Sequence, residues 1–244
     1  MNTIFKFVTV AVLGTTTSAT AERRLFTQGY EFGTTPEDKT TVELWHTQTH
    51  ATWTGRSPET FEQVIRLAHG LADRWELAID TTFVQVDAVD ATEQRAFGLD
   101  SLRADTSYRL ADKNDWPVDI AIYAEGGKQF GTSEYVAEGR VIASRDFDRM
   151  TVVANAIAHV DFGHAVGTTL STGWTVGASY ELHPKLNLGA ETWGVRADGV
   201  TDASVGPALS FAPSANFWLA VTGGAGITDA APSVTFRAMV GIEL

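Results

Sequence analysis

Three groups able to hold a metal or move a proton stand close together in His159-x-Asp161-x-x-His164. Helical zinc sites place two histidines at i and i+4 on one face; here the spacing falls at a strand end and its turn. It reads as a polar wall residue followed by a rim residue. A serine–histidine–acid hydrolase carried on a barrel wall is the second chemistry to weigh. His46, His50, His69, His159 and His183 each have Ser or Thr nearby, but no spacing singles out a nucleophile and no G-x-S-x-G elbow occurs. The chain has no cysteine, which excludes thiol catalysis, cysteine-ligated zinc and iron–sulfur clusters. Gly126-Gly127 and Gly223-Gly224 lack the helix and Lys-Ser/Thr that follow a phosphate loop, and read as bends or close contacts within strands. The sequence therefore assigns no catalytic residue, no metal and no cofactor.

A larger constellation appears when charges are sorted by parity along the chain. Glu62, Glu76, Asp80, Asp105, Asp119, Glu125, Glu138, Asp161, Glu181, Glu191 and Glu243 fall on the polar face of alternating segments, with Arg66, Arg103, Arg109, Arg140, Arg237 and His159. Over 244 residues, 18 Lys+Arg stand against 30 Asp+Glu, a net charge of −12, which argues against a nucleic-acid partner.

The elements that carry these charges alternate with period two. Val234, Phe236, Ala238, Val240, Ile242 and Leu244 share one parity, and Thr235, Arg237, Met239, Gly241 and Glu243 the other. The same pattern recurs at 75–83, 118–125, 151–162 and 170–182. Short polar connections rich in Pro, Asp and Asn separate the segments. Twelve strands are predicted, at 40–53, 60–70, 75–87, 94–110, 116–130, 134–145, 148–162, 168–182, 185–196, 202–211, 216–227 and 233–244. The second competes with a helix, since Ser57-Pro58 could cap one and Phe61, Val64, Ile65, Ala68, Leu71 and Ala72 have helical spacing. Gly70 and the clean alternation from Trp75 onward favour the strand. Ile4–Leu13 with Ala19-Thr20-Ala21 reads as a secretory signal cut after Ala21, and no later window has the ~20 apolar residues of a membrane helix. The expected division is a signal peptide at 1–21, an N-terminal periplasmic or lumen segment at 22–39, and a β-barrel at 40–244. The fold class is all-β, a transmembrane antiparallel up-and-down barrel of about twelve strands (ten or fourteen as alternatives) in a Gram-negative outer membrane. Trp53, Trp75 and Trp116 fall at predicted strand ends, where interfacial rings belong. The turns after strands 2, 4, 6, 8 and 10 are expected to be periplasmic and the tightest.

His69-Gly70-Leu71-Ala72-Asp73-Arg74-Trp75-Glu76-Leu77 resembles the periplasmic turn Y-G-L-T-D-R-W-E-L of a family of proteobacterial outer-membrane proteins labelled phenol-degradation meta-pathway (MetA-pathway) transporters. Arg24-Leu25, Thr41-Val42-Glu43-Leu44, Glu138-Gly139-Arg140 and Asp146-Phe147-Asp148-Arg149 are similar to other pieces of that family. Ala72 stands where Thr is usual, and the terminus is Leu rather than aromatic. The resemblance implies an outer-membrane barrel and carries no phenol chemistry, because the label rests on genomic association.

In a membrane barrel the charged face must turn inward, because charges facing lipid are costly. The expected lumen lining is Glu62, Arg66, Glu76, Asp80, Arg103, Asp105, Asp119, Glu125, Glu138, Arg140, His159, Asp161, Glu181, Glu191 and Arg237. Passage of small solutes through this polar, acidic lumen is the leading expectation, with cationic or neutral solutes favoured. The alternatives are a closed structural barrel without transport, a barrel-wall lipid hydrolase and a soluble secreted β-protein. Outer-membrane lipids and the barrel-assembly machinery are the expected partners.

Overall fold

The computed structural model describes residues 23–52, 59–87, 96–130, 134–163 and 167–244. Twelve strands run β1 Thr40–His50, β2 Glu59–Ala72, β3 Trp75–Asp87, β4 Ala96–Arg109, β5 Asp119–Gln129, β6 Tyr135–Phe147, β7 Met150–Gly163, β8 Gly167–His183, β9 Leu186–Ala197, β10 Val200–Ser214, β11 Phe217–Gly226 and β12 Val234–Glu243. Each pairs antiparallel with its neighbours, and β1 pairs with β12, so the sheet closes on itself and leaves no edge. The stretch that could cap a helix continues as β2 from Glu59; Ser57, Pro58, Trp53 and His164 lie outside the described residues.

Parity decides what faces out. On β3, Trp75, Leu77 and Ile79 are exposed while Glu76, Ala78 and Asp80 are buried. The same inversion holds on β12, where Thr235, Met239 and Glu243 are buried and Phe236 is exposed. A soluble protein would not present Ile65, Leu67, Ile79, Ile122, Val141 and Leu188 to water together. This surface is membrane-facing: from Trp75 to Phe83 the outer face of β3 spans about the 9–11 residues that cross a bilayer as a strand. Aromatic rings collect toward the two rims. Trp75, Tyr108, Phe147 and Tyr180 lie at one, and the stacked pairs Phe83–Phe97 and Tyr135–Phe162 toward the other. A bulge in β4 shifts its register between the Thr82–Ser101 and Phe83–Leu99 pairs, which keeps both Leu99 and Leu102 outside.

The connections at 73–74, 148–149, 184–185 and 215–216 are two-residue turns on one rim. The rim is not uniformly tight, as the sequence reading expected: residues 110–118 form a longer loop there. Pro117 has no N–H for the ladder, and pairing resumes only at Asp119. One very tight turn sits on the opposite rim, where Asp198 and Gly199 both have positive φ (50° and 81°), as a type I′ hairpin requires.

Candidate functional site

The lumen is not empty. Residues 23–39 enter it from the rim that carries Pro184, turn inside, and return beside Gly70 of β2 to the same rim, where β1 begins. Arg23 is fixed at the rim, donating to the Pro184 carbonyl (2.7 Å) and to Asn187 Oδ1 (2.6 Å). The turn inside is closed by Glu31, whose Oε1 accepts the Leu25 and Phe26 N–H groups (2.7 and 2.9 Å). Wall side chains then take up backbone groups that a strand ladder would normally satisfy. Glu191 accepts the N–H groups of Thr27 (3.0 Å), Gln28 (3.0 Å) and Gly29 (3.2 Å), the Thr27 hydroxyl (3.1 Å) and the Thr222 hydroxyl. Asn155 receives the Tyr30 N–H at 2.8 Å and donates to the Tyr30 carbonyl at 2.9 Å, imitating a strand partner. Glu76 Oε2 accepts the Thr35 N–H and hydroxyl, both at 2.7 Å.

Two glycines make room for this path. A Cβ on Gly177 would lie 2.5 Å from the Phe26 ring, and one on Gly70 would lie 2.1 Å from the Pro36 carbonyl oxygen. Phe26 and Phe32 pack with Ala121, Tyr123, Ile142, Val153 and Ala208 in a small apolar cluster within the lumen.

Above the segment lies a layer of fixed charge. Arg66, fully buried, donates through Nη1 to Asp80 (3.0 Å) and Asp105 (2.5 Å), and through Nη2 to Asp105 (2.8 Å) and Glu76 (3.0 Å). Its guanidinium lies over the Trp45 ring at 5.8 Å. Carboxylate oxygens of Asp80, Asp105 and Glu125 come within 4.8 Å of one another, a grouping that could in principle hold a cation. Those oxygens already have cationic or hydroxyl partners: Arg66 serves both aspartates, while Arg103 (3.0 Å) and the Tyr123 hydroxyl (2.7 Å) serve Glu125. The guanidinium groups do the work that a metal would do there.

Two chambers lie on either side of the segment and this layer; no residue lines both, and a small cavity of about 40 Å³ between them shares Tyr30 with one and Arg23 and Glu31 with the other. The outer chamber, about 390 Å³, is lined by Glu62, Asp80, Arg103, Glu125, Glu138, Arg140, His159 and Arg237, with Tyr30, Trp45 and Trp193 among its rings. The inner one, about 1200 Å³, opens at the rim with the two-residue turns and includes Arg23, Glu31, Arg109, Asp146 and Glu181. Glu181 pairs there with Arg23 at 3.8 Å, and the buried Asp119 accepts the Asn114 N–H at 2.7 Å. Asp161 sits toward the far rim, 3.2 Å from His159 Nε2. Outside the spans, Arg74 and Asp112 form a two-toothed pair at the rim (2.8 and 2.5 Å); it raises the guanidinium's pKa and holds the Asp112 carboxyl below the usual aspartate range.

Three groups lie outside the lining expected from the sequence, two on the wall and one on the segment. Glu43 is buried and accepts from Trp45 Nε1 at 2.7 Å; its parity between Val42 and Leu44 is the available signal. Asn155 faces inward by the parity of β7, and Tyr30 belongs to the segment, which has no period. His159 also faces Glu138 through Nδ1 at 3.4 Å, so both ring nitrogens are turned toward carboxylates, although Ser171 lies directly opposite on β8. The Thr40 hydroxyl meets His69 Nδ1 at 3.0 Å on the outer face, with no carboxylate bonded to that ring among the described residues. No nucleophile–His–acid arrangement occurs among the described residues.

No family model matches the sequence, and no curated protein matches it. Solved structures do resemble it. The COG4313 outer membrane channel from Pseudomonas putida F1 superposes with a TM-score of 0.67 at 14% identity, over 90% of this chain and 100% of that one. The KdgM porin in complex with disordered oligogalacturonate gives 0.55 at 12% identity, over 83% and 97%. The NanC porin gives 0.54 at 7% identity, over 84% and 100%. At these identities the likeness is one of fold, and the fold is that of an outer-membrane β-barrel.

Proposed function

We propose that the protein lets small polar solutes cross the outer membrane through its lumen, with residues 23–39 forming the constriction. The observation that carries this reading is the pair of chambers lined by charged and hydroxyl side chains on either side of that segment. Wall acids outnumber wall arginines, and the focusing of their field favours cationic and neutral solutes over anions. The turn motifs shared with the meta-pathway transporter family support the location and add nothing about the solute.

A closed barrel is the second reading, and one observation favours it: Glu191, Asn155 and Glu76 hold the N-terminal segment through its backbone, as a permanent stopper would be held. Planar-bilayer recording separates the two. The first reading expects conductance from the intact barrel, a reversal potential of cation-selective sign in a salt gradient, and weaker selectivity at high salt. Silence from a demonstrably folded barrel, with conductance restored by removing residues 22–39, would establish the stopper. Anion selectivity would overturn the assignment of an acidic path.

A further inference from the structure

Most charges facing the outer chamber are matched. Arg103 meets Glu125, Arg140 meets Glu138, and Asp80 meets Arg66. Arg237 differs. Among the described residues it makes no ion pair; its Nη1 donates to the neutral Gln28 Oε1 at 3.2 Å, and its Nε is buried without a hydrogen-bond partner. The guanidinium lies over the Trp45 ring, 5.0 Å from its centroid.

The register places two further groups beside it. Thr47 on β1 is directly opposite Arg237 on β12, and its Oγ1 is likewise buried without a partner. Glu62 on β2 is directly opposite Thr47 on the other side; among the described residues it makes no ion pair, and the Arg103 guanidinium, already paired with Glu125, is the nearby cation that feels its charge. One row across β12, β1 and β2 thus reads cation, hydroxyl, anion. Strand spacing puts the outer two Cα atoms roughly 9–10 Å apart. Buried polar atoms without partners are uncommon and mark a place where a partner is missing. Glu191 cannot serve, being committed to the backbone of residues 27–29. Across the barrel from this row, the chamber wall becomes apolar at Ile157, Trp193 and Val195. Its volume of about 390 Å³ lies within the range of small-ligand pockets.

We propose that this row is a binding site for a small zwitterionic solute with an apolar body, of the α-amino-acid class. Its carboxylate is taken by the Arg237 guanidinium, which the Thr47 hydroxyl adjoins from the facing strand, and its ammonium turns toward Glu62. The site rests on the reading of the lumen as a solute path only in supposing that a solute reaches the outer chamber. A carboxylate alone would meet the repulsion of Glu62, and an amine alone would leave Arg237 unpaired, so the row discriminates by requiring both charges.

Isothermal titration of the folded barrel in detergent tests this with three probes of one shape: L-phenylalanine, 3-phenylpropanoate and 2-phenylethylamine. The wild-type barrel is expected to bind phenylalanine at least tenfold tighter than either single-charge analogue. Arg237→Gln should weaken phenylalanine at least tenfold, to the level of the amine, and Glu62→Gln should weaken it to the level of the acid. Thr47→Val, which leaves every charge in place, should weaken phenylalanine about threefold and keeps the test available if the Arg237 variant does not fold. Equal binding of the three probes, no binding of any, or indifference of phenylalanine to all three substitutions overturns the site. Titration does not require passage. Conductance without zwitterion binding would leave the channel reading intact and remove this site, and binding without conductance would do the reverse.

Discussion

Replacing Glu191 by glutamine tests how the N-terminal segment is held. The carboxylate accepts three consecutive backbone N–H groups and a hydroxyl from residues 27–29, all between 3.0 and 3.2 Å. An amide keeps the size but offers one accepting oxygen. Its NH2 then points at two of the donors, which loses two charge-assisted hydrogen bonds worth about 1.5–3 kcal/mol each. The lumen is polar and water can re-cover the freed N–H groups, so the net loss is about 2–4 kcal/mol. That shifts the balance between seated and displaced segment by about thirty- to seven-hundred-fold. The chain has no cysteine, so a Thr27→Cys reporter is the one thiol in the molecule. Thr27 is 4% exposed when seated. With the reporter in both backgrounds, a water-soluble maleimide should label the Glu191→Gln barrel faster by that factor, while heat-modifiable gel migration shows the wall intact. Equal labelling rates would refute the claim that Glu191 anchors the segment.

Three further outcomes are expected. Ala156→Arg should block assembly, because an arginine facing mid-membrane lipid costs about 2–4 kcal/mol. Ser171→Arg, which faces the outer chamber, should assemble; equal yields of folded barrel would refute the parity. Asn155→Arg is not a neutral control, since it removes both bonds to Tyr30. Because Arg74 holds the Asp112 carboxyl below its unfolded value, their pairing is complete above the ordinary aspartate range and is lost as pH falls through the lowered folded value. Protection of the amides in residues 110–118, taken relative to the intrinsic exchange rate at each pH, should therefore fall on acidification in wild type and stay constant in Asp112→Asn. Mass spectrometry of protein taken from membranes should give a chain beginning at Glu22.

The barrel was legible because lipid on one side and water on the other force a strict period of two, and that period survives in one sequence. It placed Glu76 and Asp80 against Leu77 and Ile79, and the observed strands start and end within a few residues of the predicted ones. The parity rule fails where the ladder slips, as in β4. What it does not encode is the partner of an inward charge. Glu191 and Glu125 look alike on paper; one holds backbone N–H groups of a distant segment, the other an arginine on the neighbouring strand β4. Residues 23–39 have no period at all, since their contacts are set by the wall around them. The turn residues misled at 110–118, where proline delays pairing, and at Asp198–Gly199, a tight turn on the rim opposite the one expected to carry the tightest.

The layer between the two chambers has an electrical consequence. Water and ions in each chamber conduct, whereas Arg66, Asp105, Phe26 and Glu191, all at most 3% exposed, do not. A voltage across the membrane therefore falls more steeply over that layer, whose own cavity is only about 40 Å³, than over the two wider chambers. One elementary charge carried through the full drop gains about 2.3 kcal/mol per 100 mV. Arg24, on the segment itself, sits beside this layer, with its guanidinium over the Tyr30 ring. The Arg24 pairs with Glu31 and Glu43 therefore sit where an applied potential acts most steeply, and it is the balance of charge within them that keeps the segment seated under voltage.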